Sequence, residues 1–167
     1  AEYYERSGDA EFLNKCIGYI KGPLLEEGES ERYVEVRQSE ASDSLYLHSV
    51  KALKRGIRLG DKNLLLIGSG DWNDGLTNVG VKGKGQTVWG SMFAVMVMEK
   101  FLILTSFFQD SETEAFCREH IALLRSGIED NAWDGEWYLR GYFDSGKPFG
   151  AKGNTECEID LLPQAFA

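Results

Sequence analysis

The stretch Thr87–Phe108, TVWGSMFAVMVMEKFLILTSFF, decides the fold class of this 167-residue chain. It predicts one long helix whose first three turns carry apolar side chains nearly all round. Such a helix is typical of one that other helices enclose. The longest uncharged run, Gly85–Met98, ends at Glu99 and is shorter than the roughly 20 apolar residues that cross a bilayer, so we expect no membrane span.

Two amphipathic helices are predicted on either side of this stretch. Apolar residues recur at helical spacing from Tyr46 to Ile57, with Asp43 as a candidate N-cap and Gly60 as a stop signal. Ser111–Glu114, SETE, has the pattern of a capping box and opens a helix that we expect to end at Gly127. The fold class is therefore mainly α.

Long connectors rich in Gly, Asp, Asn and Lys join these helices: Lys21–Ser42, Ile67–Gly85 and Asn131–Thr155. Loops of this length in a compact domain are usually functional or disordered. Within the last connector, Trp137–Phe143 and Lys147–Phe149 flank an Asp-Ser-Gly turn and predict a short β-hairpin. No pattern marks an internal domain boundary, so residues 1–167 are expected to form one domain or part of one.

Composition excludes several classes of protein. Hydrophobic residues make up 43% and charged residues 27%, which are close to globular averages. These values argue against disordered, coiled-coil and collagen-like proteins. Eighteen basic and 27 acidic residues give a net charge of −9, and such a field repels nucleic acids and anionic lipid surfaces. We therefore expect neither nucleic acid nor membrane as a partner.

The cysteines and the first residues suggest a location and an extent. Cys16, Cys117 and Cys157 are an odd number at wide intervals, which favours a reducing compartment, and we predict the cytoplasm. Residues Ala1–Asp9 have no basic start or apolar stretch of a signal peptide. They resemble the end of a helix already under way, so we expect this chain to be part of a larger protein.

The densest polar cluster is Gly68–Gly75, GSGDWNDG, in which Asp71, Trp72, Asn73 and Asp74 are adjacent. An indole face can stack on a sugar ring while carboxylates and amides bind its hydroxyls. A carboxyl group beside an indole can also be desolvated, which raises its pKa and keeps a proton available. The commoner alternative is a turn in which Asp and Asn bind their own backbone.

Other site types have weak support. The cluster does not have the EF-hand spacing or its distal Glu, so calcium is not expected. Gly80–Thr87, GVKGKGQT, imitates a phosphate loop, but Gln86 stands where the lysine is required. His48 and His120 have no second imidazole at helical spacing, so metal binding is not expected.

The remaining candidates have structural alternatives. Cys157 has no His or Asn beside it in sequence, and a structural thiol is the default interpretation. The last connector carries aromatic residues that could line a sugar cleft or pack the hairpin, with packing the commoner use: Trp133, Trp137, Tyr138, Tyr142 and Phe143.

Four segments, in order along the chain, resemble glycoside hydrolase family 94, the inverting β-glucoside phosphorylases and the related domain of cyclic β-1,2-glucan synthases. They are Glu31–Leu53, Gly68–Trp89, Trp133–Gly150 and Asn154–Ala167. The resemblance implies a fragment of an (α/α)6 barrel with long active-site loops at one end of its inner helices. Residues 1–167 would then be part of a catalytic domain truncated at both ends.

The resemblance also implies roles for individual residues. The general acid falls on Asp74, and Trp72 belongs to the sugar-binding site. Glu156 and Gln164 lie in a stretch that contacts the acceptor sugar in relatives, and Arg140 is a further substrate-binding candidate from its place in the hairpin. An inverting hydrolase needs a second carboxylate as base. A phosphorylase does not, because phosphate is itself the nucleophile.

The implied reaction is inverting phosphorolysis of β-1,2-linked glucooligosaccharides to α-glucose 1-phosphate and a shortened glucan. The GDWNDG form and the downstream GKGQTVW segment resemble the β-1,2-glucan enzymes more than the cellobiose or chitobiose phosphorylases, which implies this linkage. Leu76-Thr77-Asn78 and Ala165-Phe166 depart from the commoner family residues. Phosphate is a co-substrate, no other cofactor or metal is expected, and the phosphate site should lie outside this chain. The fragment alone is therefore expected to be inactive.

Three alternatives to a free β-1,2-glucooligosaccharide phosphorylase stay open. The chain could belong to a cyclic β-1,2-glucan synthase, or to a cellobiose-type phosphorylase. It could also be a non-catalytic carbohydrate-binding module that uses the same aromatic residues. The expected partners are the oligosaccharide and phosphate, and the full-length enzyme is expected to be a homo-oligomer.

Overall fold

The computed structural model describes residues 1–26, 29, 31–71 and 73–167, except for the side chain of Asp74. The described chain packs as two compact units, Ala1–Gly56 and Ile57–Ala167. Helices predominate over strands, which confirms the mainly α prediction. The first unit contains α1 (Glu2–Ser7), α2 (Glu11–Asn14), β1 (Cys16–Lys21), β2 (Arg37–Ser44) and α3 (Leu45–Gly56). The second contains β3 (Leu65–Leu66), a 3₁₀ helix (Asp74–Leu76), β4 (Gln86–Thr87), α4 (Val88–Phe108), α5 (Ser111–Asn131), β5 (Gly141–Tyr142), β6 (Pro148–Phe149) and α6 (Leu161–Phe166).

The first unit contains a hairpin that the sequence did not indicate. Strands β1 and β2 pair antiparallel, with a register shift between Gly18 and Ile20. The prediction that Lys21–Ser42 is all loop is wrong for the part that β2 occupies. The sequence of β2, RQSEASDS, is polar and mostly exposed, so it does not show the alternation that marks a half-buried strand.

Helix α3 is shorter than predicted at both ends. It ends at Gly56, before the expected stop at Gly60. Ser44, rather than the predicted Asp43, binds a backbone N–H of its first turn. The Ser44 hydroxyl accepts a hydrogen bond from the Leu47 N–H at 3.2 Å. The Asp43 carboxylate instead binds the Lys51 ammonium at 2.5 Å, an interaction that spacing alone does not reveal.

In the second unit, the two 21-residue helices α4 and α5 pack against each other and are joined by only Gln109 and Asp110. The Thr87 hydroxyl caps α4 by accepting the Gly90 N–H at 3.1 Å. Asp110 caps α5 by accepting the Thr113 N–H at 3.0 Å, so the prediction that a capping box at Ser111 starts the helix is wrong by one residue.

Gly127 lies inside α5 and does not end it. A Cβ atom at this position would lie 2.4 Å from the Asn63 carbonyl oxygen, so the glycine permits a close approach of the chain before β3. The prediction that Gly127 terminates the helix is therefore wrong. The absence of a side chain at Gly127 is needed for this close packing.

Helix α4 is only partly enclosed by the described residues. Its buried face includes Val88, Met92, Met98 and Leu104, while Phe93, Met96, Ile103 and Phe107 are 37–46% exposed. Its length and composition would be sufficient for a membrane-spanning helix, which the uncharged run alone did not indicate. A helix in a protein core has the same length and composition, and α4 contributes to the main core of this unit.

A four-stranded antiparallel sheet, in the order β3-β4-β5-β6, brings the connectors together. Phe143 donates its N–H to the Lys147 carbonyl at 2.9 Å across the Asp-Ser-Gly turn, so the predicted hairpin is confirmed with shorter strands. The core beside the sheet is formed by Leu64, Val88, Met92, Ile128, Ala132, Leu139 and Ala151. The sheet thus places the hairpin next to the connector that follows β3.

Candidate active site

The long connector Ile67–Gly85 leaves and returns on paired strands. Residues of β3 and β4 face each other in antiparallel register, and the Ile67 N–H donates to the Gly85 carbonyl at 2.9 Å. The two ends of the connector are therefore held together. Its interior divides into two segments, which we call the acid loop (Gly68–Gly75) and the glycine loop (Gly80–Gly85).

The acid loop is shaped by two of its own side chains. A carboxylate oxygen of Asp71 accepts the Asn73 N–H at 3.0 Å, and the Asn73 side-chain oxygen accepts the Gly75 N–H at 3.1 Å. The Asn73 side chain thereby caps the 3₁₀ helix that begins at Asp74. The turn interpretation is thus confirmed for Asp71 and Asn73.

Neither of the two residues predicted to act on the sugar is described in full. Trp72 lies outside the described residues, and so does the side chain of Asp74. The backbone of Asp74 begins the 3₁₀ helix, between Asn73 and Leu76. Catalysis by Asp74 and sugar binding by Trp72 stay predictions.

Arg140 anchors the acid loop from the residue before β5. Its side chain is 1% exposed, and its Nη2 donates to Asp71 at 2.5 Å, where the carboxylate is 2% exposed. Its Nη1 donates to the Thr87 hydroxyl at 2.9 Å, and the guanidinium lies 5.7 Å from the centre of the Trp89 ring. Its Nε lies 3.5 Å from the second carboxylate, that of Asp160.

The glycine loop encloses a carboxylate that comes from the hairpin turn. Asp144 accepts the N–H groups of Lys82 and Lys84, both at 2.8 Å, and that of Gly85 at 2.9 Å. Burial would raise the pKa of Asp144, but these three hydrogen bonds outweigh it and hold the pKa below its usual value. Successive backbone N–H groups of this kind form an anion-binding nest. Here the anion is the chain's own side chain, so these amides are not available to a nucleotide.

A cavity of about 510 Å³ opens between the acid loop and the hairpin, in the size range of small-molecule sites. It is lined by Asn73, Leu76, Arg140, Phe143, Lys147, Pro148, Phe149, Gly153, Asn154, Thr155, Glu156, Cys157 and Asp160. The lining mixes carboxylates, cations, two side-chain amides and aromatic rings. Such a surface can hold sugar hydroxyls and ring faces.

The predicted substrate-binding residues occupy different environments. Arg140 and Glu156 line the cavity with the two residues that flank the Asp74–Gly75 backbone. Gln164 instead binds backbone: its Oε1 accepts the Tyr138 N–H at 3.0 Å, and its Nε2 donates to the Tyr138 carbonyl at 2.7 Å. Gln164 thus ties α6 to the segment that precedes β5 in the sequence, and its predicted sugar contact stays untested.

Most of the aromatic run packs the hairpin, as the commoner interpretation predicted. The Trp137 indole N–H donates to the Glu158 carbonyl at 2.9 Å, and the Tyr142 hydroxyl donates to the Asn131 carbonyl at 2.6 Å. Tyr138 packs on the core, whereas Trp133 is 52% exposed. Phe143 is the member of the run that lines the cavity.

The histidines and acidic residues do not form a metal site in the described part of the chain. Within residues 1–26, 29, 31–71 and 73–167, apart from the undescribed Asp74 side chain, no group of three His, Cys, Asp or Glu side chains could hold a metal ion. The His48 ring nitrogen lies 2.9 Å from the Ile17 carbonyl, and that of His120 lies 2.9 Å from the Phe116 carbonyl. Both imidazoles thus have backbone partners.

Sequence reasoning missed two carboxylates that organise the site. Asp144 was interpreted only as part of a turn, and Asp160 was given no role. Asp160 caps α6 by accepting the Leu162 N–H at 2.8 Å and faces Arg140. The N-cap pattern at Asp160 was readable from the sequence. The pairing with Arg140 was not, because it joins separate elements.

Comparison with known proteins gives a consistent result. Residues 4–167 match the family model described as "Glycosyl hydrolase 94 superfamily, catalytic domain". Cyclic β-(1,2)-glucan synthase NdvB of Rhizobium meliloti (strain 1021) is 34% identical over 168 residues, covering 100% of this chain and 6% of that protein.

Two phosphorylases from Paenibacillus borealis are also similar. Solabiose phosphorylase is 29% identical over 169 residues, covering 99% of this chain and 19% of that protein. A 3-O-β-D-glucopyranosyl-β-D-glucuronide phosphorylase is 29% identical over 161 residues, covering 96% of this chain and 19% of that protein. The chain therefore spans about a fifth or less of the length of these relatives.

Proposed function

This chain belongs to the glycosyl hydrolase 94 superfamily, and we propose that it is part of a catalytic (α/α)6-barrel domain that cleaves β-glucosides with phosphate. The packed pair α4 and α5 agrees with a helical layer of such a barrel. The long connectors beside α4 agree with active-site loops at one end of that layer. The proposal covers the parent protein, of which this chain carries the acid loop.

The proposed reaction transfers one glucosyl unit to inorganic phosphate. Asp74 donates its proton to the glycosidic oxygen as the bond from that oxygen to C1 breaks. A phosphate oxygen forms a new bond to C1 from the opposite face, which inverts the configuration and gives α-glucose 1-phosphate. The shortened glucan leaves with the proton, so no second carboxylate is needed as a base.

One observation carries this proposal: residues on both sides of Asp74 in the sequence line the 510 Å³ cavity. Asn73 before it and Leu76 after it both line that cavity, together with Glu156. The carboxylate and amide side chains described in the motif, Asp71 and Asn73, are bound to backbone N–H groups. Asp74 is therefore the motif's candidate for chemistry, while the others shape the loop.

We propose that Trp72, Glu156 and Gln164 contact the sugars. Glu156 has the direct support of lining the cavity, whereas the lining residue Arg140 has a side chain that is only 1% exposed and is paired with Asp71. Lys147 lines it as well and adds a cation near the hairpin turn. The reaction as proposed uses phosphate as co-substrate and no other cofactor.

We propose β-1,2-linked glucooligosaccharides as the substrate class. The similarity to a β-(1,2)-glucan synthase, at 34% identity over the whole chain, supports this linkage over those of the phosphorylases at 29%. The same similarity favours a second candidate function. In that case the domain would act on β-1,2-glucan within a synthase that also builds the chain.

The proposal is tested by incubating the intact parent protein with a β-1,2-linked glucotriose and phosphate and following the products by NMR. We expect α-glucose 1-phosphate and a disaccharide, and no cleavage when phosphate is omitted. The β-1,3- and β-1,4-linked glucotrioses are matched controls and should react more slowly. Free glucose, the β-phosphate, or binding without chemistry would contradict the proposal.

Assays on the same intact protein distinguish the synthase candidate from a free phosphorylase. A parent that also extends β-1,2-glucan from a nucleotide sugar is a synthase, and removal of this domain should then change the product's chain length. A parent with phosphorolysis alone is a free phosphorylase.

A further inference from the structure

The Arg140 guanidinium connects the hairpin to the acid loop through a buried ion pair. The side chains of Arg140 and Asp71 are 1% and 2% exposed, so water does not screen the pair. The Arg140 backbone is itself fixed, since its N–H donates to Phe149 at 3.0 Å and its carbonyl accepts from Val88 at 3.1 Å. The Arg140 guanidinium thus projects from a backbone that two hydrogen bonds fix in place.

The connection continues from Asp71 to the start of the 3₁₀ helix. The oxygen that accepts the Arg140 Nη2 also accepts the Asn73 N–H at 3.0 Å. Asn73 in turn caps the helix that begins at Asp74. A shift of the Asp71 carboxylate would therefore move the backbone from which Asp74 projects.

We propose that Arg140 and Asp71 are positioning residues for Asp74: the ion pair sets where the acid loop holds its proton donor. This inference rests on the proposed function, in which Asp74 is the acid. A displacement of about 1 Å at a reacting group can cost about 10²-fold in rate. The Nη1 and Nη2 donors of Arg140 are taken up by Thr87 and Asp71, which favours a role through the loop over direct contact with substrate.

The experiment compares two glucosyl donors in the full-length protein. A β-1,2-linked glucotriose needs protonation of its leaving oxygen, whereas β-glucosyl fluoride loses fluoride with little need for a proton. Asp71→Asn and Arg140→Met should lower kcat for the glucotriose about 10²-fold and change fluoride turnover less than about fivefold. KM for the glucotriose should change little, since neither side chain is proposed to act by binding it.

Asp74→Asn provides the reference pattern, and Arg125→Met is the matched control. Arg125 forms an exposed ion pair with Glu99 at 2.6 Å on the α4–α5 surface, and its loss should leave both donors unaffected. Equal slowing of both donors by Asp71→Asn and Arg140→Met would overturn the positioning role. A raised KM with unchanged kcat would assign Arg140 to substrate contact instead. If Asp74→Asn itself does not spare the fluoride, the proposed function fails, and this is a distinct outcome.

Removing one partner leaves the other as a buried charge, so a single variant could fail to fold. Arg140→Lys keeps the charge and loses the forked geometry, and it should fall between wild type and Arg140→Met. The double variant Arg140→Met/Asp71→Asn removes both charges and should be no slower than the worse single variant. If no variant at either position folds, the pair is structural and the proposal is wrong.

Discussion

The acid loop and the glycine loop belong to one connector, yet they are stabilised in different ways. In the acid loop, Asp71 and Asn73 each bind a backbone N–H two residues ahead. In the glycine loop, three backbone N–H groups surround Asp144, which lies 62 residues beyond Lys82. A local turn can be recognised from adjacent residue types, whereas a distant anion cannot.

The difference indicates that the acid loop takes part in the reaction, whereas the glycine loop stabilises the fold. The acid loop carries one carboxylate in its turn and a second, Asp74, that we propose for proton transfer. The glycine-loop N–H groups that donate to Asp144 stabilise the fold. Variants of the glycine loop should therefore change stability, while a conservative change at Asp74 should change activity with little effect on stability.

The largest stability effect is expected for Gly85→Ala. A Cβ atom there would lie 2.6 Å from the Val79 carbonyl oxygen and 2.7 Å from the Gly80 Cα, both of which are backbone atoms that cannot rotate away. We expect the free energy of unfolding of the intact protein to fall by about 3 kcal/mol, by urea denaturation. Gly83→Ala is the control: it faces open space at φ +76° and should cost only about 1 kcal/mol. Equal losses would show that close approach is not the cause.

A smaller loss is expected for Asp144→Asn. The amide keeps the shape but removes the negative charge and one of the two acceptor oxygens that hold three N–H groups. Because the carboxylate is half-buried, we expect a loss of about 1.5 kcal/mol at pH 7 in the same urea experiment. Asp130→Asn, on the exposed side of α5, should change stability by less than about 0.5 kcal/mol. A loss at Asp144 no greater than this control would contradict the nest.

The Asp144 contribution should depend on pH. Its folded pKa is lowered below the ordinary value, so the stabilisation is fully present above the unfolded pKa of about 3.9 and is lost as pH falls through the lower folded value. The stability difference between wild type and Asp144→Asn should be constant from about pH 7 to 5 and shrink below about pH 4. A difference that grows on acidification would mean that burial, rather than the N–H groups, dominates.

The smallest loss is expected for Asn73→Ala in the acid loop. It removes the hydrogen bond that caps the 3₁₀ helix, and we expect about 0.5–1 kcal/mol. Asn78→Ala, an exposed change in the same connector, is the matched control. If thermal unfolding shows the same midpoint for both variants, the cap does not stabilise the loop.

The sequence predicted what depends on neighbouring residues. The long helix from Val88, the helix after Asp110 and the Asp-Ser-Gly hairpin turn follow from spacing and turn chemistry. The turn at Asp71 and Asn73 follows in the same way. Boundaries were less predictable: Gly127 has the pattern of a helix stop, but it is required for close packing against Asn63.

The sequence could not predict pairings between distant segments. Asp144 with the glycine loop and Arg140 with Asp71 both join residues about 60 to 70 positions apart. Strand β2 was missed because its exposed, polar sequence has no apolar face to reveal it. Each case depends on tertiary packing, which no local pattern encodes.

The central claim is that Asp74 supplies the proton, and the most direct test is Asp74→Asn in the intact protein. We expect phosphorolysis of a β-1,2-linked glucotriose, followed as release of α-glucose 1-phosphate, to fall by about 10²- to 10⁴-fold with an unchanged unfolding midpoint. Turnover near that of the wild type in the folded variant would contradict the account.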